Sequence, residues 1–305
     1  MPWLPSRPVK EGALDERLAR LTTAVNERLP QLLPAADARP QRVHEAMLYA
    51  LTSPGKRLRP ALSLAVAEMF GQRSPTVLDL ACAVEMVHAC SLIFDDLPSM
   101  DDAALRRGRP TVHREFGEAT AQLAGLGLLS RAYAVVAESA HRLSPRRYTG
   151  EDMVHHLAAA IGSDGLIGGQ ALDLESGPAD LDLETLEFIH SRKTGALFIA
   201  AGELGAMAAG ARRRDLETIT RYAKNLGLAF QISDDLLDAT ATVEEAGKDV
   251  GQDVGKVTFV TLLGIEGAET LADELLDFAF GVLDALGRSA DPLRHLARFV
   301  QRRGR

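Results

Sequence analysis

The segment VLDLACAVEMVHACSLIFDD, residues 77–96, is apolar around nearly its whole circumference when wound as a helix. A surface helix carries one apolar stripe, whereas a helix apolar all round has to be enclosed by other helices. That demands a sizeable core, and 305 residues with 46% hydrophobic side chains can supply one. The segment ends in Asp95 and Asp96, and Asp101 and Asp102 follow directly. Buried carboxylates must be paired, protonated or bound to a cation.

The rest of the chain has the period of helices. LDERLARLTTAVNERLPQLL (14–33) repeats apolar residues three and four apart. HEAMLYALTS (44–53) and PALSLAVAEMFG (60–71) read as two more helices around the loop SPGKRLRP, with Pro60 in a first turn and Gly71 at a C-terminal cap. EATAQLAGLGLLSRAYAVVAESA (118–140), TGALFIAAGELGAMAAGA (194–211) and NLGLAFQISDDLLDAT (225–240) are also strongly apolar, and their Gly and Ala residues permit close packing. VTFVTLLG (257–264) is the only piece that could pass for a strand. The expected fold is all-α, a single large helical domain of about ten or more helices, its central helices shielded by outer ones around a deep apolar cavity.

Composition narrows function. A net charge of −8 argues against a nucleic-acid binder. Cys82 and Cys90 lie in an apolar segment with no zinc spacing, and a disulfide framework is not expected. The first residues lack a secretory h-region, and no run of roughly 18 apolar residues predicts a membrane span. A reducing cytoplasm is the expected compartment. The basic end, RFVQRRGR, reads as a solvated tail.

Two aspartate clusters organise the chemistry. Pro98 cannot continue a regular helix, so DDLPSMD should bulge or turn and bring Asp101 back towards Asp95. In the second cluster Gln231, Asp234, Asp235 and Asp238 are spaced by three, four and seven, one stripe of an apolar helix. Such carboxylates repel one another unless cations intervene. Mg²⁺ suits them, because it takes hard oxygen ligands and binds through one or two carboxylates plus substrate phosphates. An acidic helix end or a solvated surface helix is the plainer alternative for either cluster alone. Basic residues sit on loops beside both: Lys56, Arg57 and Arg59; Arg106, Arg107 and Arg109; Lys193; Lys248 and Lys256. Arg forks and Lys point charges are phosphate ligands. His88, two turns before Asp95, is a candidate ligand or phosphate contact. The implied substrate has an anionic head and an apolar tail.

The motifs GKRLRP, SLIFDDLPSMDDAALRRGRPTVH, GGQALDLES, RKTGALF, FQISDDLLDAT and GKDVGQDVGK, in this order over about residues 40–265, resemble the trans-isoprenyl diphosphate synthases. The context of the second is most similar to bacterial geranylgeranyl diphosphate synthases. The resemblance implies an N-terminal extension and first helix (1–40), an all-α prenyltransferase domain (41–305) and a homodimer. It implies Mg²⁺, three ions per site, held by Asp95 and Asp101 with Asp96 supporting, and by Asp234 and Asp238. It assigns Lys56, Arg59, His88 and Arg107 to isopentenyl diphosphate. Arg106, Lys193, Thr194, Gln231, Lys248 and Lys256 fall to the allylic diphosphate (dimethylallyl, geranyl or farnesyl). Gln170 and Asp173 match a GQxxD motif. Phe94 and Ser233 depart from common residues of the family, at positions that are not expected ligands.

Product length follows the tail pocket. In the family, bulky residues four or five places before the first Asp close it at the farnesyl stage; here Ser91 and Cys90 stand there, both small. Helical side chains lean towards the N-terminus, so these positions lie below the metal site. Twenty carbons are expected. Farnesyl diphosphate is the alternative if Met86 or Phe116 closes the pocket. A terpene cyclase would replace DDLLD with a mixed Asn/Ser/Glu motif, and a non-catalytic subunit of a heteromeric synthase would lose an aspartate motif.

Overall fold

The protein is seen in a computed structural model that describes residues 12–177, 181–240 and 257–303. It is helical almost throughout and divides into two compact units. One comprises the described residues up to Val154 with Met207–Gly210, the other His155–Ala206 with Ala211 onwards.

The first unit is built around α4 (Thr76–Asp95), which packs on α6 (Glu118–Leu143), α3 (Leu58–Met69), α1 (Gly12–Gln31) and α2 (Gln41–Leu51). Residues Leu80 to Met86 of α4 are all buried, as a helix apolar all round requires. By length and composition α4 could also cross a membrane, although the sequence holds no uninterrupted apolar run of that length. Its surroundings give it another role, since most of its apolar stretch is buried inside the protein. Its two interior acids are paired: Asp79 with Arg28 (2.6 Å) and Arg142 (2.9 Å), and Glu85 with Arg57 (2.6 Å).

The helix ends follow their sequence signals. Pro60 lies in the first turn of α3, and Gly71, at φ +86°, follows its last turn. Helix α1 lays Leu21, Val25 and Leu29 into the core and ties Arg17 to Glu68 at 2.6 Å, so it folds onto this unit.

In the second unit α11 (Arg213–Thr240) packs on α12 (Phe259–Asp284), α13 (Asp291–Arg303) and α9 (Leu183–Lys193), and α8 (Leu166–Glu175) packs on α9. Leu186, Leu228, Ile232, Leu236, Phe259, Ala268 and Ala272 form its core. The 257–264 stretch is not a strand. Thr258 and Thr261 form a reciprocal capping box (2.7 and 3.2 Å) that starts α12 at Phe259. Local capping outweighs the β-branched composition there. The remaining helices are α5 (Val112–Phe116), α7 (Gly150–Ile161) and α10 (Gly195–Ala208). Cys82 and Cys90 are buried free thiols.

Candidate active site

In the first unit the acidic motif begins where α4 ends. The Asp101 N–H donates to the Asp95 carbonyl at 2.9 Å, and the Asp102 N–H to that of Leu97 at 3.1 Å. The chain after Pro98 therefore folds back, and Asp101 returns over Asp95, the turn that Pro98 predicts. The adjacent acids have other tasks. Asp96 is buried and holds Arg106 through Nε (2.7 Å) and Nη2 (2.6 Å). Burial raises its pKa, partly offset by that hydrogen bond. Asp102, at φ +45°, reaches Arg114 at 2.8 Å.

A two-residue hairpin follows, with Leu105–Arg106 (β1) antiparallel to Arg109–Pro110 (β2). Its turn, Arg107–Gly108, has positive φ at both residues (54° and 74°), the geometry of a type I′ connection. The hairpin sends Arg106 to Asp96, Arg107 Nη1 to the Pro54 carbonyl, and Arg109 over the Tyr49 ring at 4.0 Å. No strand was expected here. Gly108 was the one cue to the turn.

His88 lies in a pocket lined by Tyr49, Ser53, Glu85, Arg106 and Arg107. Burial depresses its pKa strongly, and Arg59, Arg107, Arg106 and Arg57 push the same way. The ring is thus neutral among four guanidinium groups, a setting that favours a bound anion. Lys56 is exposed on the same loop. Arg57 departs from the phosphate cluster in which the sequence placed it. It is buried, and it bonds to Glu85, Asn26 (2.8 Å) and the carbonyls of Leu51 (2.7 Å) and Ser53 (2.8 Å). A lone Glu inside so apolar a helix was the signal for such a partner.

Cys90 is buried, and its thiol is pushed up to about 12 by burial with help from Asp95. Ser91 is half-buried, its hydroxyl on the His88 carbonyl at 2.9 Å. Tyr133 of α6, whose phenol is raised by burial and by Cys90, is a neighbour that the sequence did not single out. Of the two alternative closers, Met86 is wholly buried in the core, and Phe116 packs edge-on against Tyr49 at 5.3 Å. Phe94 lies against Gly125 of α6, where a Cβ would come within 2.8 Å of its ring.

In the second unit, Lys193 closes α9 and reaches Asp173 of α8 at 2.5 Å. Gly169 lets α8 approach the end of α9 closely, since a Cβ there would lie 2.3 Å from the Lys193 backbone nitrogen. Gln170, beside it, is buried. Thr194 breaks the chain between α9 and α10, and its hydroxyl donates to Gln231 Oε1 at 2.9 Å. Burial holds His190 down to about 4, against the opposing charge of Asp173. The stripe on α11 divides. Asp234 and Asp238 are half-buried, whereas Asp235 is buried and accepts from Gln231 Nε2 (2.9 Å) and the Phe259 N–H (3.1 Å). Ser233 is buried on the packing side, bonded to the Ala229 and Val300 carbonyls. Lys248 and Lys256 lie outside the described residues.

Among the described residues no three His, Cys, Asp or Glu side chains close up into a group able to hold a metal ion. The helical fold, the two aspartate motifs and the basic residues on loops beside them are the class of arrangement that the sequence set out.

The family comparison names the class. Residues 40–281 match the polyprenyl synthetase family model, and the chain belongs to that family. It is 44% identical over 286 residues to geranylgeranyl pyrophosphate synthase 7, chloroplastic, of Arabidopsis thaliana, covering 92% of this chain and 81% of the relative. It is 43% identical over 281 residues to the chloroplastic geranylgeranyl pyrophosphate synthase of Capsicum annuum, covering 91% and 75%. Among solved structures it resembles an FPP/GFPP synthase from Zymomonas mobilis (TM-score 0.83, 35% identity, 95% and 99% covered). It also resembles a geranyltransferase from Legionella pneumophila (TM-score 0.82, 32% identity, 96% and 98% covered). The all-α fold is that of the isoprenyl diphosphate synthases.

Proposed function

We propose that the chain is a prenyltransferase that condenses isopentenyl diphosphate head to tail with dimethylallyl, geranyl and farnesyl diphosphates to give geranylgeranyl diphosphate. The observation that carries this reading is the end of α4, where the chain returns Asp101 over Asp95 while His88 lies among four arginines. Lys56, Arg59, His88 and Arg107 take the diphosphate of isopentenyl diphosphate, the neutral His88 offering a donor rather than a charge. Lys193, Thr194 and Gln231, with Lys248 and Lys256, take the allylic diphosphate. Arg106 spends Nε and one terminal nitrogen on Asp96 and keeps N–H groups for a diphosphate.

Asp95 and Asp101 of the first motif and Asp234 and Asp238 of the second are the residues that would hold Mg²⁺. The fit rests on their hard oxygens and on the turn that pairs the first two. When bound, Mg²⁺ supplies Lewis-acid stabilisation of the departing diphosphate. The allylic C–O bond breaks, and pyrophosphate leaves with the electron pair. The double bond of isopentenyl diphosphate then attacks the allylic carbon, and the new cation loses a proton to the released pyrophosphate. The protein's part is to hold both anions and to keep water from the cation.

The names of the curated relatives and the small Cys90 and Ser91 support the twenty-carbon product. The FPP/GFPP name of the Zymomonas mobilis relative keeps a farnesyl product as the second reading. Cys90→Tyr decides between pocket floors: its product should shorten from twenty to fifteen carbons in chain-length analysis. An unchanged product would place the floor elsewhere, with Tyr133 the next residue to test. We further propose a homodimer, supported by the family and by the exposed Leu123 and Leu126 of α6.

A further inference from the structure

Within the first unit, the loop between α2 and α3 is folded around the guanidinium of its own Arg57. Four of the five Arg57 N–H donors are committed: Nε to Asn26 Oδ1 (2.8 Å), Nη1 to Glu85 (2.6 Å), and Nη2 to the carbonyls of Leu51 (2.7 Å) and Ser53 (2.8 Å). Two further carbonyls of the loop accept from outside it, Pro54 from Arg107 Nη1 and Lys56 from Thr22 Oγ1 (3.3 Å). The backbone of Arg57 is left-handed (φ +50°, ψ +39°). Few residues other than glycine adopt that conformation, and it persists where its surroundings fix it. It turns two neighbours opposite ways, since Lys56 is exposed and Arg57 is buried. Glu85 stands three residues before His88 on α4, so the Arg57–Glu85 pair docks the loop against the helix that carries His88. Thr22 and Asn26 are four residues apart on α1 and so share one face.

We propose that Asn26, aided by Thr22, is a positioning residue for the isopentenyl diphosphate subsite: through Arg57, α1 holds the loop in the shape that presents Lys56 and Arg59. The proposal rests on the assignment of Lys56, Arg59, His88 and Arg107 to that diphosphate. Asn26 acts through the guanidinium, not on the anion. Its amide oxygen meets Nε, at the root of the fork, and so sets how the fork turns towards Glu85 and the two carbonyls. Without that contact a smaller fraction of molecules holds the left-handed turn, and apparent affinity falls with that fraction. A bound diphosphate restores the shape, so turnover at saturation is spared. The Asn26 bond is short and comes from a charged donor, whereas the Thr22 bond is long and neutral, so Asn26 carries most of the effect.

The test compares Asn26→Leu, Asn26→Asp and the double variant Thr22→Val/Asn26→Leu with the parent, measuring kcat, the KM values for isopentenyl and farnesyl diphosphate, and melting temperature. Leu keeps the helix but removes the acceptor, whereas Asp keeps an oxygen for Nε. The KM for isopentenyl diphosphate should rise about fivefold in Asn26→Leu and about tenfold in the double variant, and stay within about twofold of the parent in Asn26→Asp. In all three, kcat and the KM for farnesyl diphosphate should stay within about twofold. A lower melting temperature with an unmoved KM for isopentenyl diphosphate would overturn the proposal, as would an equal rise in Asn26→Leu and Asn26→Asp. A second readout needs no activity. Trypsin should cut after the exposed Lys56 faster in Asn26→Leu than in the parent or in Asn26→Asp. Equal cutting in all three proteins sinks the brace. Faster cutting confined to Asn26→Leu, where the parent elongates no primer, upholds the brace and sinks the assigned reaction.

Discussion

Asp95→Ala and Asp234→Ala should each lower kcat by roughly a thousandfold or more, the loss expected when a metal-held charge stabilisation worth several kcal/mol is removed. Both residues lie in helices, and Ala is a strong helix former, so α4 and α11 should persist and the melting temperature should move little. The structure explains why these two and not their neighbours. Asp96 is committed to Arg106, and Asp235 to Gln231 and the start of α12. Steady-state kinetics with saturating Mg²⁺, alongside thermal melts, reads both effects. Near-normal kcat in either variant would remove that aspartate from the metal assignment.

The largest stability effect should come from Arg57→Met. Arg57 and Glu85 are each almost fully buried, and the guanidinium also satisfies Asn26 and two backbone carbonyls. Removing one partner leaves a buried carboxylate uncompensated, which costs about 3–5 kcal/mol. In a unit of this size that is a fall in melting temperature of roughly 10 °C. Adding Glu85→Leu to Arg57→Met should restore much of it, because an apolar pair carries no stranded charge. A single variant as stable as the parent would show that Glu85 finds another partner or protonates without penalty.

The parts of this protein legible in its sequence are those fixed by local pattern. The burial of α4 follows from apolar residues on every side, and the return of Asp101 onto Asp95 follows from Pro98 breaking a helix that ends in carboxylates. What stayed hidden depends on partners distant in the chain. Glu85 is 28 residues from Arg57, and Asp79 is 63 from Arg142, so no helical period reveals either pair. The hairpin at Leu105–Pro110 escaped because two-residue strands have no alternation to detect, leaving only Gly108 as a cue. The β-branched run after Val257 pointed to a strand, but Thr258 and Thr261 capped a helix instead. The division of labour inside each DD pair is the clearest limit. Neighbouring aspartates look alike until the packing shows which of them faces inward.

The assigned reaction is tested most directly by incubating the purified chain with Mg²⁺, isopentenyl diphosphate and each of dimethylallyl, geranyl and farnesyl diphosphate, then measuring product chain length. The account predicts elongation from all three primers, ending at twenty carbons, and none when Mg²⁺ is chelated. Failure to elongate any primer with Mg²⁺ present would contradict it.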